Sequence, residues 1–199
     1  MKLEDYRIIF ATVGLIGILI FASPSLGFFL KLPQGEAFSG LYILGPDRMI
    51  DSIPFNIRAN VNYLVYLGVD NQMGRSAYYT CYVKLRSDSE PLPNSTLGTP
   101  SPIPVLYEYK VFIQDGQMWE APLAFKVSNV SFSNNQSRLH SITITDLEFA
   151  VDKTALWNTE GTGYYYNLLV ELWIFSEAAD AVQFHGRFVH FYLNMTETI

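Results

Sequence analysis

From Ala37 onward the chain consists largely of runs in which every second residue is apolar, the period that is typical of half-buried β-strands. One face of the run 164–175 carries Tyr164, Tyr166, Leu168, Val170, Leu172 and Ile174. No long amphipathic helical pattern interrupts these runs. The sequence therefore predicts an all-β fold over residues 37–199, an antiparallel, immunoglobulin-like β-sandwich of about 7–9 strands.

Turn signals between the runs predict which strands are neighbours. Asn71-Gln72-Met73-Gly74 separates the runs 61–69 and 77–85, and Asp115-Gly116 separates 105–113 from 119–127. We expect both pairs to form antiparallel hairpins. Pro122 has no N–H to donate to a ladder, so it indicates an edge position or a bulge. The remaining predicted strands are 138–145, 147–151, 164–175 and 184–193.

Three stretches without this alternation are predicted to be loops. Residues 87–104 hold five prolines, residues 128–137 are rich in Asn and Ser, and residues 152–163 include Gly161 and Gly163. The first is long for a sandwich connection, and loops of that length are commonly functional or mobile. The third lacks the lysine and the following helix of a phosphate-binding loop, so we interpret it as an ordinary glycine turn.

The N-terminal part has a different character. Residues 8–30 contain no charged side chain, and 23 residues at about 1.5 Å each span roughly 34 Å, enough to cross a bilayer core of ~30 Å. We expect a retained signal anchor with residues 1–7 as a cytoplasmic tail, since Lys2 and Arg7 precede the segment and Lys31 follows it. A cleavable signal peptide is the alternative, with small residues at 23–25.

Either interpretation places residues 37–199 outside the plasma membrane. Four Asn-x-Ser/Thr acceptors agree with export and are candidate N-glycosylation sites: Asn94, Asn129, Asn135 and Asn194.

Charge excludes one class of partner. The chain has 13 basic and 19 acidic residues; three and two of them lie in residues 1–31, which leaves ten against seventeen in the remainder. A nucleic-acid binder needs a cationic face, and this sequence has no Lys/Arg cluster. The single cysteine, Cys81, rules out an intrachain disulfide and is predicted to be a small buried apolar residue.

No pattern in the sequence indicates catalysis or cofactor binding. The motifs of serine nucleophiles and zinc hydrolases are absent. His185 and His190 are five residues apart on one predicted strand, so they should point to opposite faces, and His140 alone cannot complete a metal site. We therefore predict no catalytic, cofactor-binding or metal-binding residues.

Aromatic residues supply the candidate binding site. Tyr78, Tyr82, Tyr165 and Trp173 lie on the strand faces opposite the aliphatic rows. Flat rings stack on sugars or anchor a protein partner, so these four residues could form a binding face. The alternative is that they are buried against loops or a neighbouring sheet.

Several short segments resemble one family. They are Phe38–Asp47 (FSGLYILGPD), Ile53–Ile57 (IPFNI), Tyr66–Asn71 (YLGVDN), Gln117–Pro122 (QMWEAP) and Phe188–Leu193. Their succession over residues 37–195 resembles the outer domain of the DUF1616 family of archaeal membrane proteins. Arg48 stands where that family usually has Gly, residues 87–104 look like an insertion, and family members often have several transmembrane helices. The resemblance implies an archaeal plasma membrane, an outward β domain and a place among surface-glycan functions.

These observations predict a non-catalytic, single-pass membrane subunit. Its outer domain would serve as an accessory or interaction module of an archaeal envelope complex for protein glycosylation or surface assembly. Its partners would be membrane lipid and other membrane-protein subunits, to which Gly14 and Gly17 let the helix pack closely. A freestanding glycan-binding or adhesion module is the alternative, and an envelope hydrolase is a third hypothesis.

Overall fold

The computed structural model describes residues 6–7, 9–18, 21 and 36–195, and the chain divides into two compact units between Ala37 and Phe38. In the first unit, residues 6–7, 9–18 and 21 are helical, and Glu36 and Ala37 are not. None of the described helices combines the length and the apolar character needed to cross a membrane. Residues 8, 19, 20 and 22–30 of the predicted anchor lie outside the described residues.

The second unit is all-β, as the alternation predicts. Its described residues form ten strands: β1 Phe38–Leu44, β2 Asn56–Ile57, β3 Tyr63–Gln72, β4 Ala77–Ser87, β5 Tyr107–Ile113, β6 Gln117–Ser133, β7 Gln136–Ile144, β8 Leu147–Asn158, β9 Gly163–Ser176 and β10 Ala181–Met195. The two strands that the sequence prediction did not count are β1 and the two-residue β2. All pairings are antiparallel except that of β2 with β10.

The ten strands form one continuous curled sheet with two layers. The first layer has the order β1-β3-β6-β7-β8, and the second has the order β5-β4-β9-β10-β2. Strand β8 joins them, because its body pairs with β7 while Trp157 and Asn158 pair with β9.

A single apolar core lies between the layers. Each strand contributes alternate residues to it, among them Val65, Leu67 and Val69 from β3. Aromatic contacts cross the core, for example Phe125 to Phe191 with ring centroids 6.0 Å apart. The predicted inner row of β9 is also confirmed, since Tyr166, Leu168, Val170 and Leu172 are fully buried.

Both predicted hairpins are wrong. Strand β3 pairs with β1 and β6, whereas β4 pairs with β5 and β9, so the chain crosses from one layer to the other between them. The same holds between β5 and β6. The two crossing turns brace each other: the Gly116 N–H donates to the Asn71 carbonyl (2.7 Å), and the Gly74 N–H donates to Asp115 Oδ1 (2.7 Å).

Pro122 lies opposite Tyr66 of β3, but β6 begins to pair with β7 only at Phe125. At Pro122, β6 therefore has a partner strand on one side only, as far as the described residues show. The predicted edge position is confirmed locally.

Two of the predicted loops are much shorter than expected. Residues 128–137 are mostly strand, because β6 and β7 are joined by Asn134 and Asn135 alone, both with positive φ (48° and 58°), as tight hairpin turns require. Residues 152–158 belong to β8. Only residues 87–104 remain largely irregular, with one bridge between Asn94 and Thr99.

Candidate functional site

The candidate aromatic residues lie on the outer face of the second layer. Tyr82 and Trp173 contact each other with ring centroids 5.2 Å apart, and Trp173 packs on Phe184 at 6.0 Å. Tyr78 lies opposite Phe112 of β5, whose side chain is 65% exposed. We call this set the aromatic patch: Tyr78, Tyr82, Phe112, Trp173, Phe175 and Phe184. Sequence reasoning missed Phe112, Phe175 and Phe184, although the alternation of their strands places them on this face.

Tyr165 is not part of the patch. It precedes Trp173 by eight residues on β9, which at about 3.3 Å per residue is roughly 26 Å. It packs instead on Phe55 (6.0 Å) and Tyr192 (6.1 Å), and its hydroxyl donates to the Gly161 carbonyl. The four predicted residues therefore do not form one site.

The loop 87–104 separates these two aromatic groups, because it crosses the outer face of the second layer. Its Ser101 N–H donates to Glu171 Oε1 (2.7 Å), and its Ser101 carbonyl accepts from Lys84 Nζ (2.7 Å). A Cβ built on Gly186 of β10 would lie 3.6 Å from the Ser95 carbonyl oxygen, which shows that the loop reaches the far strand. We call residues 87–104 the strap.

A buried ion pair fastens the strap. Lys84 Nζ lies 2.9 Å from Glu171 Oε2, and the two side chains are 4% and 0% exposed. Both Glu171 oxygens have partners, since Trp173 Nε1 also donates to Oε2 (3.1 Å). A buried pair of this kind is tolerated because its remaining hydrogen-bonding capacity is satisfied.

A second polar network holds the start of the strap. Arg86 donates to the Asp88 carbonyl (2.8 Å), and Asn167 Nδ2 donates to Asp88 Oδ1 (3.0 Å). Asn167 Oδ1 accepts from His190 Nδ1 (2.9 Å). Glu90 pairs with Lys153 of β8. Burial raises the pKa of Glu90, but the hydrogen bonds from Lys153 and Ser87 outweigh it and lower that pKa overall.

The three histidines lie apart. His185 Nε2 is 3.1 Å from Ser39 Oγ, and its ring packs against Tyr79, whereas His190 lies on the outer face with Asn167; the predicted opposite orientation is confirmed. His140 bonds to Ser131 and Asp152. Over the described residues, no three His, Cys, Asp or Glu side chains are grouped so that they could hold a metal ion.

Cys81 is fully buried in the core, as predicted. Burial raises the pKa of its thiol to about 12, so the thiolate needed for nucleophilic attack is not formed at neutral pH.

The four glycosylation candidates lie in different surroundings. Asn94 is exposed in the strap, Asn129 is exposed at a bulge of β6, and Asn135 is exposed in the β6–β7 turn. Asn194 is only 5% exposed, and its Nδ2 donates to Asn56 Oδ1 (2.9 Å). A glycan on that nitrogen would replace one of its two hydrogens and would have to fit beside Asn56 at this buried position. The modification of each site stays a prediction.

Comparison with known proteins identifies the family. The model of the family described as "Domain of unknown function (DUF1616)" matches residues 32–142, more than half of the chain, so the chain belongs to this family. The segments Phe38–Asp47, Tyr66–Asn71 and Gln117–Pro122 lie inside the match. No curated protein sequence matches the chain significantly.

Three solved structures illustrate the structural likeness. A CARDB domain from Pyrococcus furiosus, in complex with di-metal ions, has a TM-score of 0.40 at 8% identity, over 83% of this chain and 94% of that one. A β-glucosidase from Listeria innocua has a TM-score of 0.40 at 10% identity, over 80% of this chain and 16% of the enzyme. The human zinc 2-glycoprotein–prolactin inducible protein complex has a TM-score of 0.37 at 9% identity, over 82% and 97% of the two chains.

Proposed function

We propose that this chain is a non-catalytic, single-pass membrane subunit whose outer β domain docks another protein of an archaeal envelope complex through the aromatic patch. In this proposal residues 8–30 are the anchor, residues 1–7 face the cytoplasm, and the outer domain is an immunoglobulin-like sandwich. The larger machine would act in protein glycosylation or surface assembly. The observation that carries the proposal is the aromatic patch on a sheet face.

The composition of the patch favours a protein partner. Its centre is aromatic, and its margins carry two ion pairs, Lys110–Glu108 and Arg75–Glu177. An aromatic centre with a charged rim is the usual composition of a protein–protein interface. Because each margin holds one charge of each sign, the patch has no net field that would select an anionic polymer or lipid headgroup.

The adjacent edge strand adds backbone groups to this surface. In the described part of the chain, β4 is the only strand that pairs with β5, and Phe112 lies on β5. An exposed strand edge presents unpaired N–H and C=O groups, to which a partner strand can add. A docked subunit could therefore engage both the rings and the edge.

The test is co-purification from gently solubilised membranes, with variants of matched exposure. Phe112 is 65% exposed within the patch, and Leu147 is 55% exposed in the first layer. We expect the wild type and Leu147→Ser to retain a stoichiometric protein partner through size exclusion, and Phe112→Ser to lose it. A wild-type monomer, or a partner that survives Phe112→Ser, would overturn the proposal.

The predicted topology has its own test. Protease added to intact cells should cleave within residues 37–199 if this part lies outside. Protection of these residues until the cells are lysed would contradict the orientation.

A further inference from the structure

A groove of about 600 Å³ lies where β8 ends, away from the aromatic patch. It is lined by Asp88, Ser89, Tyr165 and residues 154–160. Its volume is in the range of about 300–1,000 Å³ that ligand sites in proteins have. The sequence prediction named Tyr165 as a candidate binding residue but did not identify this groove, and the proposed docking function does not account for it.

Aromatic and apolar side chains line part of the groove. Trp157 is 37% exposed although its ring packs 5.1 Å from that of Tyr164, and Leu156 is 67% exposed. The Tyr165 ring is held by its hydrogen bond to the Gly161 carbonyl and by its packing on Tyr192. A Cβ on Gly161 would lie 2.7 Å from Tyr165 Cζ, so a larger residue there would displace the Tyr165 ring. The rings are therefore fixed before any ligand binds.

The polar side chains of the groove are fixed as well. Asp88 Oδ1 accepts from the fully buried Asn167 (3.0 Å) and from Arg86 (3.3 Å). Asn158 Oδ1 accepts from the backbone N–H groups of Glu160 and Gly161, both at 3.0 Å, and so shapes the turn. Preorganised polar groups reduce the entropy lost on binding.

The charges of the lining select the class of ligand. The lining residues include the carboxylates of Asp88 and Glu160 and no Lys or Arg. An anionic ligand would be repelled, whereas hydroxyl groups can donate to carboxylate and amide oxygens. Aromatic rings beside such acceptors suit a molecule with apolar C–H faces and many hydroxyls.

We propose that this groove binds a neutral oligosaccharide, with Trp157 and Tyr165 contacting the sugar rings and Asp88 and Glu160 accepting hydrogen bonds from its hydroxyls. The site is distinct from the aromatic patch and does not depend on the docking function. Its residues come from the strap, β8, the turn before β9 and β9 itself, so the strap is part of the site.

The experiment is calorimetric titration of the full chain in a detergent without a sugar headgroup. The probes are linear trisaccharides of glucose, mannose and N-acetylglucosamine, with a heparin oligosaccharide and trilysine as charged comparisons. We expect at least one neutral trisaccharide to bind and the heparin oligosaccharide not to. Trp157→Ala should weaken binding by about tenfold or more, the effect of losing an aromatic anchor.

Two further variants distinguish a loss of sugar binding from a folding defect. Glu160 is exposed, so Glu160→Ala should fold normally and still weaken binding severalfold. Phe112→Ser should leave sugar binding unchanged while it abolishes partner retention, so the two proposals fail separately. Binding of trilysine alone, binding of none of the neutral sugars, or binding unaffected by both Trp157→Ala and Glu160→Ala would overturn the assignment.

Discussion

The outer face of the second layer has a covered half and an open half, and they are built differently. Under the strap, Lys84, Glu171 and Asn167 are buried with their charges and amides paired. In the open half, the aromatic rings other than the exposed Phe112 lie half-buried, and the Thr80 hydroxyl beneath them is buried without a hydrogen-bond partner among the described residues. The comparison teaches that polar residues on a sheet face are stable where a loop completes their hydrogen bonds, whereas rings tolerate partial exposure.

The largest expected change in the free energy of unfolding comes from breaking the buried Lys84–Glu171 ion pair in the covered half. Glu171→Gln leaves the Lys84 ammonium buried without its counter-charge, and should lower the free energy of unfolding by about 3–5 kcal/mol in urea titrations. The strap residues should then exchange amide hydrogen faster. The double variant Lys84→Met/Glu171→Leu removes both charges and should recover part of the loss, because the Ser101 N–H and Trp173 Nε1 still lose their acceptor. A loss below about 1 kcal/mol for Glu171→Gln would contradict this account, since breaking a buried pair costs more.

A smaller effect, of opposite sign, is expected beneath the open half. Thr80→Val replaces a buried, unpartnered hydroxyl with a methyl group, and should raise the free energy of unfolding by about 1 kcal/mol. Urea titration of the variant beside the wild type measures the difference. A destabilised variant would show that the hydroxyl has a partner, such as a bound water.

A weaker effect on stability is expected from the protonation of His190 as the pH changes. His190 is hydrogen-bonded to Asn167, which in turn is hydrogen-bonded to Asp88 of the strap. Burial first, and then Arg86, lowers the pKa of His190 below its ordinary 6.5, while Asp88 opposes them. His190 therefore takes up a proton at higher pH in the unfolded chain than in the folded one. The contribution of neutral His190 to the free energy of unfolding is present above about pH 6.5 and is lost as the pH falls below that value.

The measurement is the melting temperature between pH 7.5 and 5, values chosen to bracket an ordinary histidine pKa of about 6.5. His190→Gln should flatten the profile. Burial lowers the pKa of His185 in the same direction, so His185→Gln serves as the comparison outside the strap. If the melting temperature of His190→Gln depends on pH as steeply as that of the wild type, His190 does not cause the pH dependence.

The smallest effect on stability is expected at the surface of the open half. Phe112→Ser should change the free energy of unfolding by no more than about 0.5 kcal/mol, because the side chain is 65% exposed. This small cost is what makes the variant suitable for the partner test. A large destabilisation would mean that Phe112 is part of the fold rather than of a docking surface.

Local alternation predicted most strands of the domain but not which strands are neighbours. Val65 of β3 and Cys81 of β4 face one core from opposite layers, yet the same alternation would result if the two strands lay side by side. The pairing depends on contacts distant in sequence, such as that of β4 with β9, which a turn signal at residues 71–74 does not contain.

The candidate site could be predicted only in part for the same reason. The outward orientation of Tyr78, Tyr82 and Trp173 follows from strand period, and the structure brings Tyr82 and Trp173 together. The separation of Tyr165 from Trp173 follows from the length of β9, since eight residues at about 3.3 Å each span roughly 26 Å. The composition of the strap indicated an irregular loop. Its attachment to the sheet could not be predicted from the local sequence, because the hydrogen bond from Ser101 to Glu171 joins residues 70 positions apart.

The end of β10 has a consequence for the order of events during biogenesis. Asn194 is held against Asn56 by its side chain and against Phe55 by its backbone, and a Cβ on Gly163 would lie 1.7 Å from its Oδ1. Because Asn194 is only 5% exposed in the folded domain, its side chain is poorly accessible to a transferase once the last strand has paired. Glycosylation of Asn194 would therefore require that the transferase act before this strand folds. The fraction of Asn194 that carries a glycan would then report whether modification or folding comes first.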